Sequence, residues 1–389
     1  MPNSDHHILH ITPIFWDNWA YQENILTEYQ AKKGFKVTVV APSTSLASYR
    51  NDLDGTEKVY FTKGVRVIRL KLKLNLINRF FVFKDLLNIL ISESPEIIMV
   101  HGLQMLPILD VIKYKRKFPK CKVYADIHCD HNISASNFIS KYILHRVIWN
   151  RLICYSVPYI EKIYYTRPSV LAFIQDMYKI PMDHLEELLM GIDTEDLESI
   201  NRCNVRSRIR KSLNIPDNVL VLCTGGKINR DKKINLIAEA IQSLDSGEIH
   251  VVVFGKIEDD YCDEFNSIVQ NNPNIHFIGW VEGREVYNYF IACDVSIFLG
   301  RHSVLWEQAV ASGVGMILKY NSHSTYLNVG GNVMFLYSDN STEISQYLFL
   351  LKTFPEIVLN MKNISKSKGE IKFSYENILN DLHKTWGIS

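Results

Sequence analysis

The feature that most constrains this chain is a regular alternation of short apolar segments with longer amphipathic ones, in two series. The first series of candidate strands reads HILHIT, FKVTVVAP, VRVIRLK, EIIMVHG, KVYADIH and KIYYT; the second reads NVLVLCTGG, IHVVVFG, IHFIGW, VSIFLG and GMILKY. Helical segments such as QENILTEYQAKKG and INLIAEAIQSL separate them. Such alternation predicts parallel sheets covered by helices on both faces. We therefore expect an α/β protein with two doubly wound, Rossmann-like domains.

A polar, charged stretch between the two series marks the domain boundary. It reads LLMGIDTEDLESINRCNVRSRIRKSLNIPDN and ends in the turn signal Pro216-Asp217. We assign residues 1–190 to the first domain, 191–371 to the second, and 372–389 to a C-terminal helix that crosses back to the first. Doubly wound sheets bind ligands beyond the carboxyl ends of their strands. We therefore expect the site in the cleft between the two domains.

Composition and termini indicate the compartment. The chain is 47% hydrophobic and 22% charged, which is ordinary for a soluble globular protein. No apolar run approaches the roughly 18 residues of a membrane span, and the polar start MPNSDHH does not resemble a signal peptide. The seven cysteines lack metal-ligand or redox spacing. We expect a cytoplasmic protein with reduced thiols, no disulfide and no structural zinc.

The small net charge hides an asymmetry between the halves. Residues 1–190 carry 24 Lys/Arg and 18 Asp/Glu, whereas the remainder carries 19 and 24. A basic half suits anionic lipid headgroups or an anionic acceptor. Random drift in surface charge is the open alternative. We expect no nucleic-acid partner.

Three loops that follow second-half strands carry candidate donor contacts. After NVLVLCT, two glycines that permit a tight turn, the second of them Gly226, precede Lys227 and Lys232 and then a helix, a combination that suits a diphosphate. The pattern is neither a P-loop nor the dinucleotide fingerprint. Gly255 allows close backbone approach to a ligand or simply ends a strand. Trp280 can hold a nucleobase or pack in the protein.

The segment RHSVLWEQAVASG places a carboxylate inside a core-like helix. Val304 and Leu305 are core candidates, yet Glu307 interrupts the apolar pattern. His302 and Ser303 stand just before the first turn. A buried carboxylate is costly without hydrogen-bond partners, so Glu307 pairs with a cation inside the domain or with a ligand.

These motifs, in this order, resemble the retaining GT-B glycosyltransferases of family 4, including those of bacterial surface-polysaccharide synthesis. Gly226-Lys227-x4-Lys232 resembles the family's Gly-Arg-x4-Lys motif, and VVVFGK its glycine turn. FIGWVEGREVYNYFIACDV and WEQAVASGVG resemble the next two landmarks, the latter being the end of a Glu-x7-Glu motif. HILHITPIFWDNWAYQENILTEYQAKKGFKVTVVAP, SPEIIMVHGLQ, KVYADIHCDH and LLMGIDTEDL resemble the acceptor domain and the crossover. The resemblance implies a GT-B fold, an acceptor-binding first domain and a nucleotide-sugar-binding second domain.

The resemblance implies roles for residues of the second domain. Lys227 and Lys232 match the cations that hold the donor diphosphate, and Glu307 matches the carboxylate that binds the ribose hydroxyls. The first Glu of the motif is missing, because Leu299 stands in its place. His302 then replaces that Glu, or the role is lost. The backbone N–H groups at the helix start offer a diphosphate site, from Ser303 through Val304 to Leu305.

It also implies roles for residues of the first domain. His128 matches the histidine that faces the donor sugar, with His131 as its rival. His101 also opens on the expected cleft. Tyr21 and Gln22 lie in the loop that contacts donor or acceptor. The family has Gly-Gly in that loop, where this chain has Trp19-Ala20.

One basic, aromatic stretch suggests a membrane contact. Residues 71–84, within KLKLNLINRFFVFKDLLNILI, combine cations with three phenylalanines. An amphipathic helix of this kind can lie on an anionic membrane surface at the inner face of the membrane. A core helix with one solvated face is the alternative.

The resemblance implies a retaining, metal-independent hexosyl- or N-acetylhexosaminyltransferase. It would move a sugar from a UDP- or GDP-type nucleotide sugar to a glycan or lipid-linked acceptor, in surface polysaccharide or lipopolysaccharide synthesis. No metal or other cofactor is expected, since Lys227 and Lys232 supply the positive charge. The alternatives are a GT-B nucleotide-sugar epimerase and a catalytically silent GT-B scaffold.

Overall fold

Two compact α/β units make up the protein, seen in a computed structural model. The structure describes residues 6–17, 21–46, 53–131, 134–135, 137–244 and 247–388. The first unit contains residues 1–189 and 379–389, and the second contains residues 190–378. Each unit has its own parallel sheet, which confirms the predicted class of two Rossmann-like domains.

The first unit is built on an eight-stranded sheet in the order β10-β9-β8-β7-β1-β2-β4-β3. All neighbours are parallel except β3 and β4. Its strands are β1 (His7–Ile11), β2 (Lys36–Pro42), β3 (Lys58–Thr62), β4 (Val65–Leu70), β7 (Ile97–Val100), β8 (Lys122–Ile127), β9 (Lys162–Tyr165) and β10 (Leu185–Glu187). The central strands are buried and rich in Val and Ile, as expected of a sheet covered on both faces.

Helices connect these strands and cover the sheet. They are α1 (Gln22–Lys32), α2 (Leu86–Glu93), α3 (Ile108–Lys117), a π-type helix (Ile139–Trp149) that continues as α4 (Asn150–Ser156), and α5 (Pro168–Met177). The helix 139–156 has no counterpart among the predicted elements. Among the described residues, no helix combines the length and apolarity that crossing a bilayer requires.

The second unit is built on a six-stranded, all-parallel sheet in the order β13-β12-β11-β14-β15-β16. Its strands are β11 (Leu220–Ile228), β12 (Ile249–Ile257), β13 (Ile275–Gly279), β14 (Val295–Phe298), β15 (Gly315–Lys319) and β16 (Val333–Leu336). The chain starts in the middle, at β11, and reverses direction across the sheet at β14. Ligands bind doubly wound sheets at this switch point, beyond the carboxyl ends of the strands.

The helices of the second unit follow its strands. They are α6 (Thr194–Ser199), α7 (Arg202–Ser212), α8 (Ile234–Ser243), α9 (Cys262–Gln270), α10 (Val286–Ala292), α11 (Leu305–Ala311), α12 (Ser341–Thr353), α13 (Pro355–Ile364), α14 (Glu370–Lys372) and the start of α15 (Tyr375–Trp386). The end of α15 belongs to the first unit, where Trp386 stacks on Tyr124 at 5.0 Å between ring centroids and donates its indole N–H to the Tyr164 hydroxyl at 3.2 Å.

The stretch 71–84 forms a β-hairpin, so the predicted amphipathic helix there is wrong. Strands β5 (Leu72–Leu76) and β6 (Phe80–Phe83) pair antiparallel. Leu72, Leu74 and Leu76 alternate with polar residues, which is the period of a strand. Ile77 and Asn78 both adopt positive φ, at 52° and 57°, and this is the backbone of a tight hairpin turn.

Candidate active site

A pocket of about 550 Å³ lies at the switch point of the second unit's sheet. It is formed by the end of β11 and the loops after β11, β12 and β14. Its lining residues are Lys227, Asn229, Arg230, Asp231, Lys232, Glu258, Asp260, Arg301, His302 and Ser303. The structure thus brings together four of the predicted donor residues: Lys227, Lys232, His302 and Ser303.

Gly225 and Gly255 beside this pocket serve strand packing, whereas a Cβ at Gly226 would lie 3.8 Å from Lys232 Nζ; strand β11 continues through the predicted tight turn. Strand β11 runs through Gly226 to Ile228 and pairs with β12, with Gly226 opposite Gly255. A Cβ at Gly225 would lie 2.3 Å from the Phe254 ring. A Cβ at Gly255, whose φ is +136°, would lie 1.8 Å from the Gly226 carbonyl oxygen. The close approach at Gly255 is therefore to the neighbouring strand.

Four cations line the pocket, and three of them are ion-paired. The pairs are Lys227 with Glu258, Arg230 with Asp260 and Glu264, and Arg301 with Asp231. Lys227 is 73% exposed in addition to being paired. Among the described residues, Lys232 has no ion-pair partner. The positive charge that is free to meet an anion therefore resides on Lys232.

Lys232 is buried, which makes its unpaired charge unusual. Only 7% of the residue is exposed, and its Nζ lies 6.0 Å from the Phe298 ring centroid. Burial lowers the pKa of Lys232 to about 8. An unpaired buried ammonium is costly to the fold. A bound anion would provide the missing counter-charge, as expected of a ligand-binding cation.

Glu307 is fully buried, and of its two carboxylate oxygens one has hydrogen-bond partners among the described residues. Its Oε1 accepts a hydrogen bond from His302 Nε2 at 2.9 Å and another from the Tyr326 hydroxyl. Its Oε2 has no hydrogen-bond partner among the described residues. Two neighbours therefore hold the carboxylate in place while one oxygen stays available as an acceptor.

The two residues that hydrogen-bond to this carboxylate lie on either side of it in the sequence. His302 precedes α11, and Tyr326 lies in a short helical turn after β15, 19 residues beyond Glu307. The Tyr326 hydroxyl is also 3.3 Å from His302 Nε2. Sequence reasoning missed Tyr326, because no motif marks it and only the folded sheet brings it to Glu307. His302 is thus committed to Glu307 on one ring nitrogen.

The remaining donor predictions lie around the pocket. Ser303 lines it, and its hydroxyl accepts from the Leu305 N–H at 3.4 Å, so that N–H is partly occupied. Val304 directly precedes the first residue of α11. Trp280 follows β13 and is 66% exposed, and it is not among the pocket-lining residues. The nucleobase role of Trp280 stays a prediction.

In the first unit, a buried carboxylate joins two of the predicted histidines. Asp126 Oδ2 accepts from His101 Nδ1 at 2.6 Å, and Oδ1 accepts from the Gly102 backbone N–H at 2.7 Å. His128 Nε2 lies 3.1 Å from the same Oδ1. Asp126 is 0% exposed and is the last residue but one of β8, next to the loop after β7 that carries His101. The switch point of this sheet, between β1 and β7, thus holds a charged cluster.

The charges in this cluster stabilise each other. Burial alone would raise the pKa of Asp126, but His128 and His101 hold it well below its usual range. Burial alone would lower the pKa of His128, but the Asp126 carboxylate raises it to about 9. His128 is therefore a cation at neutral pH, and it is 31% exposed.

His101 is an internal relay. It is 1% exposed, and its Nε2 lies 2.9 Å from Nδ1 of His10. Burial lowers the pKa of His10 to about 3, so His10 is neutral. Both ring nitrogens of His101 are therefore engaged, and the prediction that it opens on a ligand site is wrong.

Glu23 completes a group with the spacing of a metal site. One ligand atom from each of Glu23, His101 and His128 lies within 4.8 Å of the others. The His101 nitrogens are already hydrogen-bonded, and His128 carries a proton that a metal ion must displace. A metal ion at this site would have to displace these hydrogen bonds and this proton.

The other first-unit predictions divide into buried and paired residues. Tyr21 directly precedes α1. Gln22 is its first residue, is 2% exposed, and has no partner for either amide atom among the described residues. His131 lies 3.4 Å from Asp176 and packs edge-on against a phenylalanine, which favours His128 as the histidine of this site. Trp19 and Ala20 lie outside the described residues.

Comparison with known proteins places this geometry in context. Residues 205–309, which include Lys227, Lys232 and Glu307, match the family model of group 1 glycosyl transferases. Among curated protein sequences, none matches the chain significantly.

Solved structures resemble the chain over nearly its whole length. A glycosyltransferase from Rickettsia africae has a TM-score of 0.72 at 12% identity, covering 99% of both chains. Sucrose-phosphate synthase from Thermosynechococcus elongatus has a TM-score of 0.69 at 13% identity, covering 98% of both. Anabaena HepE in complex with UDP has a TM-score of 0.69 at 11% identity, covering 98% of this chain and 99% of that one. The chain therefore has the GT-B fold, and its residues 205–309 match the group 1 glycosyl transferase model.

Proposed function

We propose that this protein is a retaining glycosyltransferase that uses a nucleoside diphosphate sugar as donor. The observation that carries the proposal is the buried, unpaired Lys232 in the switch-point pocket, together with the free Oε2 of Glu307 in the same unit. A cation and a buried acceptor oxygen are what a diphosphate and a ribose require. The HepE structure in complex with UDP adds support, because that protein shares the fold.

In this proposal Lys232 stabilises the leaving group. Negative charge builds up on the diphosphate as the glycosidic bond breaks, so a fixed cation lowers the energy of the transition state more than that of the ground state. The buried site strengthens the interaction, since water screens it little. Lys227, exposed and paired with Glu258, has a secondary role at most in the donor contact.

Glu307 binds the ribose in this proposal. Its free Oε2 accepts a hydrogen bond from a ribose hydroxyl, while His302 and Tyr326 hold Oε1. His302 thus supports Glu307 and does not replace the missing first Glu of the motif. The contact positions the nucleoside but takes no part in bond breaking.

His128 is the group that we assign to the donor sugar or the leaving phosphate. Its protonated state makes it a donor on both ring nitrogens at neutral pH. The assignment and the retaining stereochemistry both rest on the resemblance to glycosyltransferase family 4. We propose that the acceptor attacks from the face that the diphosphate leaves, that the departing phosphate oxygen takes the proton, and that no metal ion takes part.

The acceptor that we propose is a glycan or a lipid-linked glycan of surface polysaccharide or lipopolysaccharide synthesis. The transferred group would be a hexose or an N-acetylhexosamine. These assignments rest on the family resemblance and on the basic first half of the sequence.

A donor screen tests the proposal. UDP-, GDP- and ADP-sugars should each be titrated while the melting temperature is recorded, followed by mass spectrometry of products with and without EDTA. We expect one nucleotide class to stabilise the protein and its sugar to be transferred or hydrolysed, with EDTA having no effect. If no nucleotide sugar binds, the proposed function is wrong.

A further inference from the structure

The helix 139–156 exposes apolar side chains over much of its length. Phe138 and Ile139 are 71% and 67% exposed, far more than is usual for large apolar residues. Five more residues of this helix are at least 39% exposed: Tyr142, Ile143, Val147, Ile148 and Tyr155. A contiguous exposed apolar patch of this kind marks an interaction site.

The hairpin β5–β6 adds a second exposed apolar element. Leu74, Leu76 and Ile77 are 41%, 55% and 80% exposed at and near its tip. Its base is anchored, because Phe81 and Phe83 are buried in the core of the first unit. The hairpin therefore projects its apolar tip from a fixed position.

The hairpin and the helix lie side by side. Phe80 of β6 stacks on Trp149 of the helix, with 4.9 Å between ring centroids. The two elements therefore form one surface of the first unit, which we call the basic apolar face: residues 71–84 together with residues 138–156.

The charge on this face has one sign. Its cations are Lys71, Lys73, Arg79, Lys84, Lys141, Arg146 and Arg151, whereas neither 71–84 nor 131–160 contains an acidic residue. Asp176 reaches it from α5 and pairs with Arg146 at 2.6 Å. Within the described residues, Lys141 and Arg151 have no ion-pair partner. Apolar side chains are thus surrounded by uncompensated positive charge.

We propose that the basic apolar face binds the surface of an anionic lipid bilayer. The exposed side chains of the helix and the hairpin tip enter the boundary between headgroups and acyl chains, while the cations pair with lipid phosphates. This proposal depends on the proposed function in one respect only: lipid binding would serve to bring the enzyme to a lipid-linked acceptor. In this proposal, the membrane contact that the sequence predicts for residues 71–84 is made by the hairpin together with the neighbouring helix 139–156.

Charge also argues against a second copy of the chain as the occupant. A symmetric dimer would place the same patch on both subunits. Like charges would then face each other across the interface with few acids to compensate them, which is unfavourable. An anionic surface has the complementary charge and requires no such compensation.

Vesicle co-sedimentation tests the proposal with the full-length protein. Phosphatidylcholine vesicles should be compared with phosphatidylcholine–phosphatidylglycerol vesicles over a range of salt concentrations. We expect binding to the anionic vesicles that weakens as salt rises, and little binding to the neutral ones. Equal binding to both kinds of vesicle, or none to either, overturns the proposal.

Matched variants locate the contact. The triple variant Phe138→Ser, Ile139→Ser, Ile143→Ser and the double variant Lys141→Glu, Arg151→Glu should each lower vesicle affinity by at least roughly tenfold. The controls are Phe349→Ser with Leu359→Ser, at similarly exposed sites of the second unit, and Lys366→Glu with Lys368→Glu. The controls should bind as the parent protein does. Equal losses in test and control variants overturn the proposal.

Two further readouts keep the outcomes distinct. Light scattering reports the mass in solution, and a dimer that dissociates in the triple variant identifies the face as a protein interface and overturns the lipid assignment. Nucleotide titration of every variant reports the second unit. Vesicle binding without nucleotide binding contradicts the proposed function and supports lipid binding by the basic apolar face. Nucleotide binding without vesicle binding contradicts the lipid-binding proposal alone.

Discussion

Two cations, the buried Lys232 in the second unit and the partly buried His128 in the first, differ in how their charge is compensated. Lys232 has no ion-pair partner in the described part of the chain, and burial lowers its pKa to about 8. His128 has the Asp126 carboxylate at 3.1 Å, and its pKa is raised to about 9. Burial acts in the same direction on both cations, so the partner decides the outcome. An unpaired cation can form an ion pair with an anionic ligand, whereas a cation that already has a partner keeps its proton at neutral pH.

Replacing Lys232 should have the largest effect. We expect Lys232→Ala to lower kcat/KM by roughly 10²–10³-fold, as the loss of one electrostatic contact to a leaving group does. Steady-state kinetics with the donor found in the screen would measure it. Lys227→Ala is the matched control and should cost less than about tenfold, because Lys227 is exposed and paired with Glu258. Equal losses at the two lysines would contradict the distinction.

Removing the partner of His128 should have the next largest effect. Asp126→Asn removes the carboxylate that raises the pKa of His128 against the effect of burial, so this pKa falls. We expect kcat at pH 7.5 to fall by roughly 10–100-fold and the alkaline limb of the kcat profile, near pH 9 in the parent, to move to lower pH. Asp176→Asn, which affects His131 instead, is the control. An unmoved limb would remove His128 from the mechanism.

The pH dependence of nucleotide binding should report the loss of the Lys232 ammonium, and a comparison with Lys232→Arg separates it from His128, whose pKa is about 9. Its folded pKa is lowered, so the ammonium is present below about pH 8 and is lost as the pH rises further. We expect the Kd of the preferred nucleoside diphosphate to be flat near pH 7.5 and to rise roughly tenfold by pH 9.5. Calorimetric titration would show it. Lys232→Arg stays charged over this range, so a rise of the same size in that variant would assign the effect to another group.

The smallest effect should come from Tyr326. Tyr326→Phe removes one of the two hydrogen bonds to Glu307 Oε1 and leaves His302 in place. We expect nucleoside diphosphate affinity to fall by roughly 3–10-fold, the size of one lost hydrogen bond to a charged group. Titration of nucleoside and nucleoside diphosphate should show equal losses, because the contact is to the ribose. A loss confined to the diphosphate would refute the ribose role.

The sequence was informative where the determinant is local. The alternation of strands and helices gives both sheets, because burial on two faces requires apolar strands. Lys232 and Glu307 could be proposed as site residues because the short segments around them resemble motifs of glycosyltransferase family 4. The ion pair of Lys227 could not be predicted, since its partner Glu258 directly follows the neighbouring strand β12.

Features that depend on tertiary packing or unusual backbone were missed. Tyr326 reaches Glu307 only through the folded sheet. The hairpin turn uses Ile77 at positive φ, a conformation that isoleucine rarely adopts, so no turn signal was visible. The helix 139–156 carries apolar residues on its buried and its exposed sides alike, which hides the helical period that would have revealed it.

The central claim is that Lys232 is the cation that awaits the donor diphosphate. The most direct test compares the affinity of the preferred nucleoside diphosphate with that of its nucleoside, in the parent protein and in Lys232→Met. We predict that the diphosphate binds much more tightly than the nucleoside in the parent, and that the variant loses most of this preference. The variant without ligand should also unfold at the same or a higher temperature, because it buries no unpaired charge. An unchanged preference for the diphosphate in Lys232→Met would contradict the account.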